Sequence, residues 1–346
     1  MVYSRYPHLH RDNVVFVADD DLWLGPLSGG RAARITLGEA APRNPRFSPD
    51  GNRIAFTSTT EGGWDAYVVE LDGGTRRLTW LSAGRMLVSG WLDDDHILLC
   101  SDHQAVHRTD ARLYSLSLDG HLERLPWGAA TAAAVSRKGR VAVASANFRD
   151  PSGWKRYRGG MAAQLHVSKD GTGDWQRVLR DVHAGLFWPT WVGERLVFTS
   201  DLGDGPDVQA QVWSVNSSGQ DLRQHTFHTA DDGYVRDAAS DGTGVVYHAR
   251  GRLFHLAGLK AEPQPIELTT AVGRPRPVQV APTDRLDAIA PDHGGDASLV
   301  EWRGAAYLLT HRGGPARALA DAPGVRVREP HFLDRTGRGV WVTDVD

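Results

Sequence analysis

The sequence predicts an all-β fold: a six-bladed β-propeller of four-stranded antiparallel blades, followed by the first strands of a second propeller. Three observations carry this. An apolar strand core recurs as Val14-Val15-Phe16, Ile54-Ala55-Phe56, Ile97-Leu98-Leu99, Val141-Ala142-Val143, Leu196-Val197-Phe198 and Val245-Val246-Tyr247, at separations of 40, 43, 44, 55 and 49 residues. Every core after the first follows a turn cue: SPDG (48–51), DDDH (93–96), SRKG (136–139), VGER (192–195) or SDGTG (240–244). Each is then followed by another strand-like run, from DLWLGPL (21–27) to RLFHLAG (252–258). A unit of roughly 40 to 50 residues that cannot bury both of its faces alone points to sheets arranged radially.

The stretch from Asn44 to Thr79 shows the unit in full. Asn44 to Phe47 supplies a first strand, and Ser48-Pro49-Asp50-Gly51 reverses it with Pro and Gly at their preferred turn positions. A second strand begins at Ile54, a third runs from Ala66 to Leu71, and Arg76 to Thr79 gives a short fourth after Asp72-Gly73-Gly74. Blade one begins at once, with Tyr6 to Leu9 as its inner strand. Every blade is built from consecutive sequence, so the expected ring is unlatched and held shut by side-chain packing between its first and sixth blades. Blades three, four and five carry insertions between their second and third strands, at 101–110, 145–161 and 200–208. In an up-and-down blade these loops share a rim with the connections between blades. The opposite rim, made of tight turns, is expected to be flat, and function is expected on the long-loop rim. Residues 1–272 account for the propeller. RPRPVQVAP (274–282) reads as a connector, and 298–320 and 327–346 as further meanders, so 273–346 is expected to hold about one and a half blades of a second propeller.

Composition agrees and excludes several functions. The chain has 346 residues, 38 glycines and 41% apolar content, enough for a substantial core, with no sustained helical periodicity. Trp23, Trp64, Trp91, Trp188, Trp191 and Trp213 fall on or beside strands, where large rings wedge between sheets. A net charge of −3 with interspersed signs gives no reason to expect nucleic acid or an anionic membrane as partner. The lone Cys100 cannot form an intrachain disulfide. No signal core and no apolar run of about eighteen residues is present, so a soluble, cytoplasmic protein is expected. His8, His10, His103, His107, His225 and His228 have no metal-ligand spacing, and neither metal nor cofactor is expected. Asp19-Asp20-Asp21 and Asp93-Asp94-Asp95 read as turn chemistry. With no G-x-S-x-G elbow, P-loop or Rossmann glycines, the chain shows no active site.

Basic residues on the long-loop rim are the candidate substrate-binding groups. Arg85 lies in the connection between blades two and three, LSAGRM (81–86), and Lys155, Arg156 and Arg158 alternate with Trp154 and Tyr157 in the blade-four loop. A guanidinium grips a carboxylate bidentately, so Arg85, Arg156 and Arg158 suit a peptide C-terminus. The plainer reading of the blade-four residues is solvated loop charge, with the two aromatic rings tucking the loop down.

Blade two, with its FSPDG turn, IAF strand and YVVELDGG hairpin, resembles the TolB-type propeller repeat. More specific are DDLWLGPLSGG (20–30), GWKRYRGG (153–160) and QVWSVNSSGQDLRQHT (211–226). In this order and at these separations they resemble the N-terminal propeller of tricorn proteases, across roughly residues 3–272. That resemblance implies one part of a large cytoplasmic serine protease acting downstream of the proteasome on oligopeptides. The family arranges a six-bladed propeller, a seven-bladed one, a PDZ-like module and a protease domain, and assembles hexamers in which the propellers are filtering conduits. The implied partners are oligopeptide substrates, the remaining protease domains and further copies of the chain. Two adjacent family arginines between blades two and three anchor the substrate's C-terminal carboxylate; the matching stretch here is Gly84-Arg85, so only Arg85 corresponds. The family's catalytic serine and histidine would lie beyond Asp346. Two other classes remain: a free-standing propeller that binds a protein partner, and the cap of a prolyl-oligopeptidase-type enzyme. The latter needs an α/β-hydrolase domain, whereas this chain proceeds into further propeller repeat.

Overall fold

Six four-stranded antiparallel sheets follow one another along the first part of the chain, each formed from strands consecutive in sequence. They are seen in a computed structural model that describes residues 3–36, 42–60, 62–107, 110–145, 153, 155–271 and 286–345. Blade one comprises Arg5–His10, Asn13–Ala18, Asp21–Pro26 and Ala33–Arg34, and blade two Arg43–Phe47, Arg53–Ser58, Asp65–Glu70 and Thr75–Arg77. Blade three comprises Met86–Trp91, His96–Ser101, Arg112–Ser117 and Leu122–Ala129, and blade four Ala132–Val135, Val141–Ser145, Gln164–Ser168 and Gln176–Arg177. Blade five is Phe187–Val192, Arg195–Ser200, Gln211–Val215 and Arg223–Gln224; blade six is Arg236–Ser240, Val245–Ala249, Arg252–Leu256 and Gln264–Ile266. The inner strands touch in a closed circuit, the sixth against the first, which makes the ring a β-propeller. Contacts divide the chain into two compact units, Met1–Val272 and Gly273–Asp346.

The core is laid down between blades. Each blade is apolar on both faces because its second and third strands are buried on both sides, and each face meets its neighbour. Val15, Val17 and Leu22 of blade one pack with Ile54, Phe56 and Val69 of blade two. The same interlocking continues around the ring, through Val68 with Leu99, Leu113 with Val143, Leu165 with Phe198, and Val212 with Tyr247. Phe16 and Trp23 then pack with Val246 and Leu253, and the sixth blade is joined to the first by side chains. Trp23 and Trp191 are buried, whereas Trp64, Trp91, Trp188 and Trp213 are half-buried at the edges of these layers.

A buried polar clip recurs where a blade hands over to the next. Asp65, fully buried, accepts from Thr79 Oγ1 and from Leu81 N at 2.7 Å each, and pairs with Arg77 Nη2 at 2.8 Å. Thr79 Oγ1 in turn accepts from Ala66 N, so the fourth strand ends at Arg77 rather than running to Thr79. The counterpart in blade one is Thr36 on Asp21, at 3.0 Å, and in blade five Thr226 on Gln211, at 2.8 Å. Asp21 is therefore a buried anchor; only Asp19 and Asp20 of that acidic run sit in the turn, at φ 48° and 59°.

Closure has one feature beyond packing. Leu268–Thr269 runs parallel to Gly30–Arg31, with Gly30 N donating to Glu267 O and Ala32 N to Thr269 O, both at 2.9 Å. This two-residue clasp ties the end of the sixth blade to the outside of the first without sharing a blade between the termini. In the second unit, Leu286–Pro291, Ala297–Trp302, Ala305–Thr310 and Arg317–Ala320 form a four-stranded meander, followed by the hairpin Val327–Phe332 with Gly339–Thr343. No helix among the described residues is long and apolar enough to cross a membrane.

Candidate functional site

The axis of the ring is lined by the ends of the inner strands and by the turns that follow them. A cavity of about 460 Å³ lies there, walled from every blade by residues such as His8, Arg46, Ser89, Ala133, Trp188 and Ala239. Arg11, Pro49, Arg137 and Gly193 from the tight turns border it, so the rim that the turn cues predict to be flat surrounds a hollow. None of Arg85, Arg156 or Arg158 lines this cavity.

A repeated backbone device aims side chains at the axis. Proline cannot donate to a ladder, so inside a sheet it belongs on an edge strand or at a bulge, and an inner propeller strand is an edge. Tyr6-Pro7, Asn44-Pro45 and Trp188-Pro189 each coincide with a register shift in the inner strand. Tyr6, Asn44 and Trp188 have φ of 50°, 49° and 55°. A bulge re-aims the side chain beside it. Here the residues after the prolines are His8, Arg46 and Thr190, and all three line the cavity.

Arg46 is only 5% exposed. Its Nε donates to Ser89 O at 3.3 Å and Nη1 to Pro45 O at 2.9 Å, while its own carbonyl accepts from Trp91 Nε1 at 2.9 Å. Burial pulls the guanidinium down to about 10, opposed by the charge of Asp237, so it stays cationic at neutral pH. Asp237 is itself bonded to the buried His248, at 2.7 Å, and makes no ion pair with Arg46. His8 Nδ1 accepts from Phe47 N at 3.1 Å. Burial, then the charges of Arg46 and His10, hold His8 well below its ordinary value, so it is neutral. The axis thus contains a buried cation with no carboxylate in contact among the described residues.

The sequence-derived candidates lie on the opposite rim. Arg85 is half-buried, and its backbone is fixed from two sides: Arg85 N donates to Asp102 Oδ1 at 3.0 Å, and Arg85 O accepts from Ser101 Oγ at 3.1 Å. The residues before it are held by a bridge between Trp64 and Ala83. In the blade-four loop, Arg158 pairs with Asp201, Nη1 to Oδ1 at 2.9 Å, and its Nη2 donates to Asp201 O at 2.7 Å. Arg156 N donates to Asp201 Oδ2 at 2.5 Å and its Nε to Val208 O at 3.0 Å. Tyr234 OH also donates to Asp201 Oδ2, at 2.5 Å, and Lys155 lies over the Tyr234 ring. These basic residues fasten the loop to blade five; Trp154 lies outside the described residues. Arg158 also borders a smaller cavity of about 270 Å³. Cys100 is buried, with burial and the charge of Asp102 pushing its thiol up, so it offers no nucleophile.

Residues 1–262 match the family described as the Tricorn protease N-terminal beta propeller domain. The chain belongs to the tricorn protease family. Tricorn protease homolog 1 of Streptomyces coelicolor is 37% identical over 99% of this chain and 32% of its own length. The crystal structure of the tricorn protease superposes with a TM-score of 0.79 at 26% identity, over 97% of this chain and 33% of that one. The chain thus spans about a third of the tricorn relatives it matches. A putative Tricorn-like protease N-terminal subunit of Sulfurisphaera tokodaii is 32% identical over 49% of this chain and 87% of its own length. A C-terminal subunit from the same organism is 30% identical over 46% of this chain and 18% of its own. The putative TolB from Agrobacterium tumefaciens shares the propeller fold, with a TM-score of 0.50 at 20% identity over 64% of this chain and 79% of its own. The tricorn propeller motifs of the sequence sit at defined places: DDLWLGPLSGG spans the Asp21 anchor and the clasp, and the arginines of GWKRYRGG hold Asp201.

What sequence reasoning missed is the axis. Arg46 and His8 were legible only as the residue after an Xaa-Pro pair in an inner strand, and the recurrence of that pair in three blades was the available signal.

Proposed function

We propose that this chain is the non-catalytic conduit propeller of a cytoplasmic tricorn-type serine protease, passing oligopeptides to or from a catalytic chamber built by the remaining domains of a hexameric assembly. The observation that carries this reading is the ring with a hollow axis in a family member that spans about a third of its relatives. The naming of N- and C-terminal subunits among the relatives supports the further domains. On this reading Gly273–Asp346 begins a second propeller, with a four-stranded meander and then a hairpin. The Glu329-Pro330 pair in that hairpin supports it, because Glu329 has a φ of 49° and the strand shifts register there, as in the inner strands of blades one, two and five. Arg85 on the long-loop rim faces the chamber and anchors a substrate carboxylate.

The test plugs the axis in the full-length protease. Thr190→Cys places a thiol in the cavity wall, and the buried Cys100 stays unreactive toward a bulky maleimide. Alkylation is expected to slow oligopeptide turnover several-fold. An unchanged rate overturns the conduit reading and leaves a protein-binding propeller.

A further inference from the structure

We propose that the axial cavity contains a binding site for the C-terminal carboxylate of a short peptide, with Arg46 as its cation; this rests on the conduit reading above. A cation this deeply buried normally has a carboxylate against it. Arg46 has two backbone carbonyls, at Nε and Nη1, and its Nη2 has no hydrogen-bond partner among the described residues. Nη2 nevertheless keeps open surface, since it is absent from the buried polar atoms that lack partners, and the side chain lines the cavity.

A second donor borders the same cavity from blade five, across the ring from Arg46. Trp188 lines the cavity, and its indole N–H is buried with no acceptor among the described residues. A buried guanidinium short of acceptors, with one nitrogen open to the cavity, is the complement of an oxyanion. Arg11 and Arg137 stand at the mouth with one lining carboxylate, Asp241, among the described residues, so the field along the entry favours an anion. The acidic charge that acts on Arg46 is that of Asp237, and the bond to His248 holds that carboxylate in the blade. A volume of about 460 Å³ accommodates a peptide of a few small residues and excludes a folded chain. Among the oxyanions that fit, a peptide terminus matches the mixed lining, in which Leu9, Leu87, Ala133 and Ala239 stand beside Ser89 and Thr190.

Calorimetric titration of the 346-residue chain with trialanine, trialanine amide, acetate and inorganic phosphate separates the sources. Trialanine is expected to bind at least roughly tenfold tighter than its amide, the scale of a hydrogen bond to a charged group. It is also expected to protect Thr190→Cys from alkylation, which locates the site. Arg46→Met is expected to abolish the acid-over-amide preference, and Arg46→Lys, which retains the buried charge, to reduce it. Equal binding of acid and amide, no binding at all, or phosphate tighter than trialanine overturns the assignment. Since the wild-type comparison decides by itself, a misfolded Arg46→Met does not shelter the proposal. Loss of the preference while the maleimide plug still slows the full-length protease removes this site and leaves the conduit standing.

Discussion

At Asp201 a carboxylate that is 2% exposed meets donors from three places: Arg156 N, Arg158 Nη1 and Tyr234 OH. Removing a buried charged acceptor strands its partners, and Asp201→Ala is expected to cost about 3 kcal/mol in urea unfolding. Burial, then the hydrogen bond to Asp201, pushes the Tyr234 phenol up, so it remains a donor across the working pH range. Arg85 calls for the opposite experiment. Its backbone makes the bonds to Ser101 and Asp102, and these bonds survive truncation of the side chain in Arg85→Ala. In the full-length enzyme the same change is expected to weaken substrates with a free C-terminal carboxylate by roughly tenfold and amidated ones far less. Equal losses on the two substrates would remove the anchoring role.

The clasp is the element whose weakness is easiest to read. Gly29 has a φ of +86°, and a Cβ built there would lie 2.9 Å from Glu267 O, a backbone atom with no freedom to retreat. Gly29→Ala is expected to cost about 2 kcal/mol. Hydrogen exchange should localise the loss to the Gly30 and Ala32 amides, which donate across the seam. Second and third strands were legible in the sequence because their apolar cores are fully buried and bounded by turn cues. Outer strands such as Gln176–Arg177 and Arg223–Gln224, two residues each and partly exposed, have no periodicity to read. The two residues of the clasp are silent for the same reason. Asp21 looked like its neighbours in a run of three aspartates, and only the position of Thr36 distinguishes it. Arg46 was hidden by its own chemistry, because a charged residue after a proline is ordinarily expected in water.

For the whole molecule, histidines set the acid limit of stability. Burial holds His8, His166, His225, His228 and His255 below the ordinary value near 6.5. The unfolded chain therefore takes up protons that the native one refuses. Their stabilising contribution is full above about pH 6.5 and is lost progressively as pH falls below it. The melting temperature is expected to drop by several degrees between pH 7 and pH 5, and His8→Gln to flatten that dependence; a flat profile in the wild type would contradict the burial of these rings. Closure without a shared blade also has a consequence for synthesis. Each blade of this ring is complete once its own residues have left the ribosome, and no strand of blade one waits for a distant terminus. Blades can form in order of emergence, each on the face left by the one before, as vectorial folding favours. Only the seam, from Gly30 to Thr269, must await the last blade. Until then the growing arc exposes two apolar flanks, and it is there that a nascent chain of this kind needs protection.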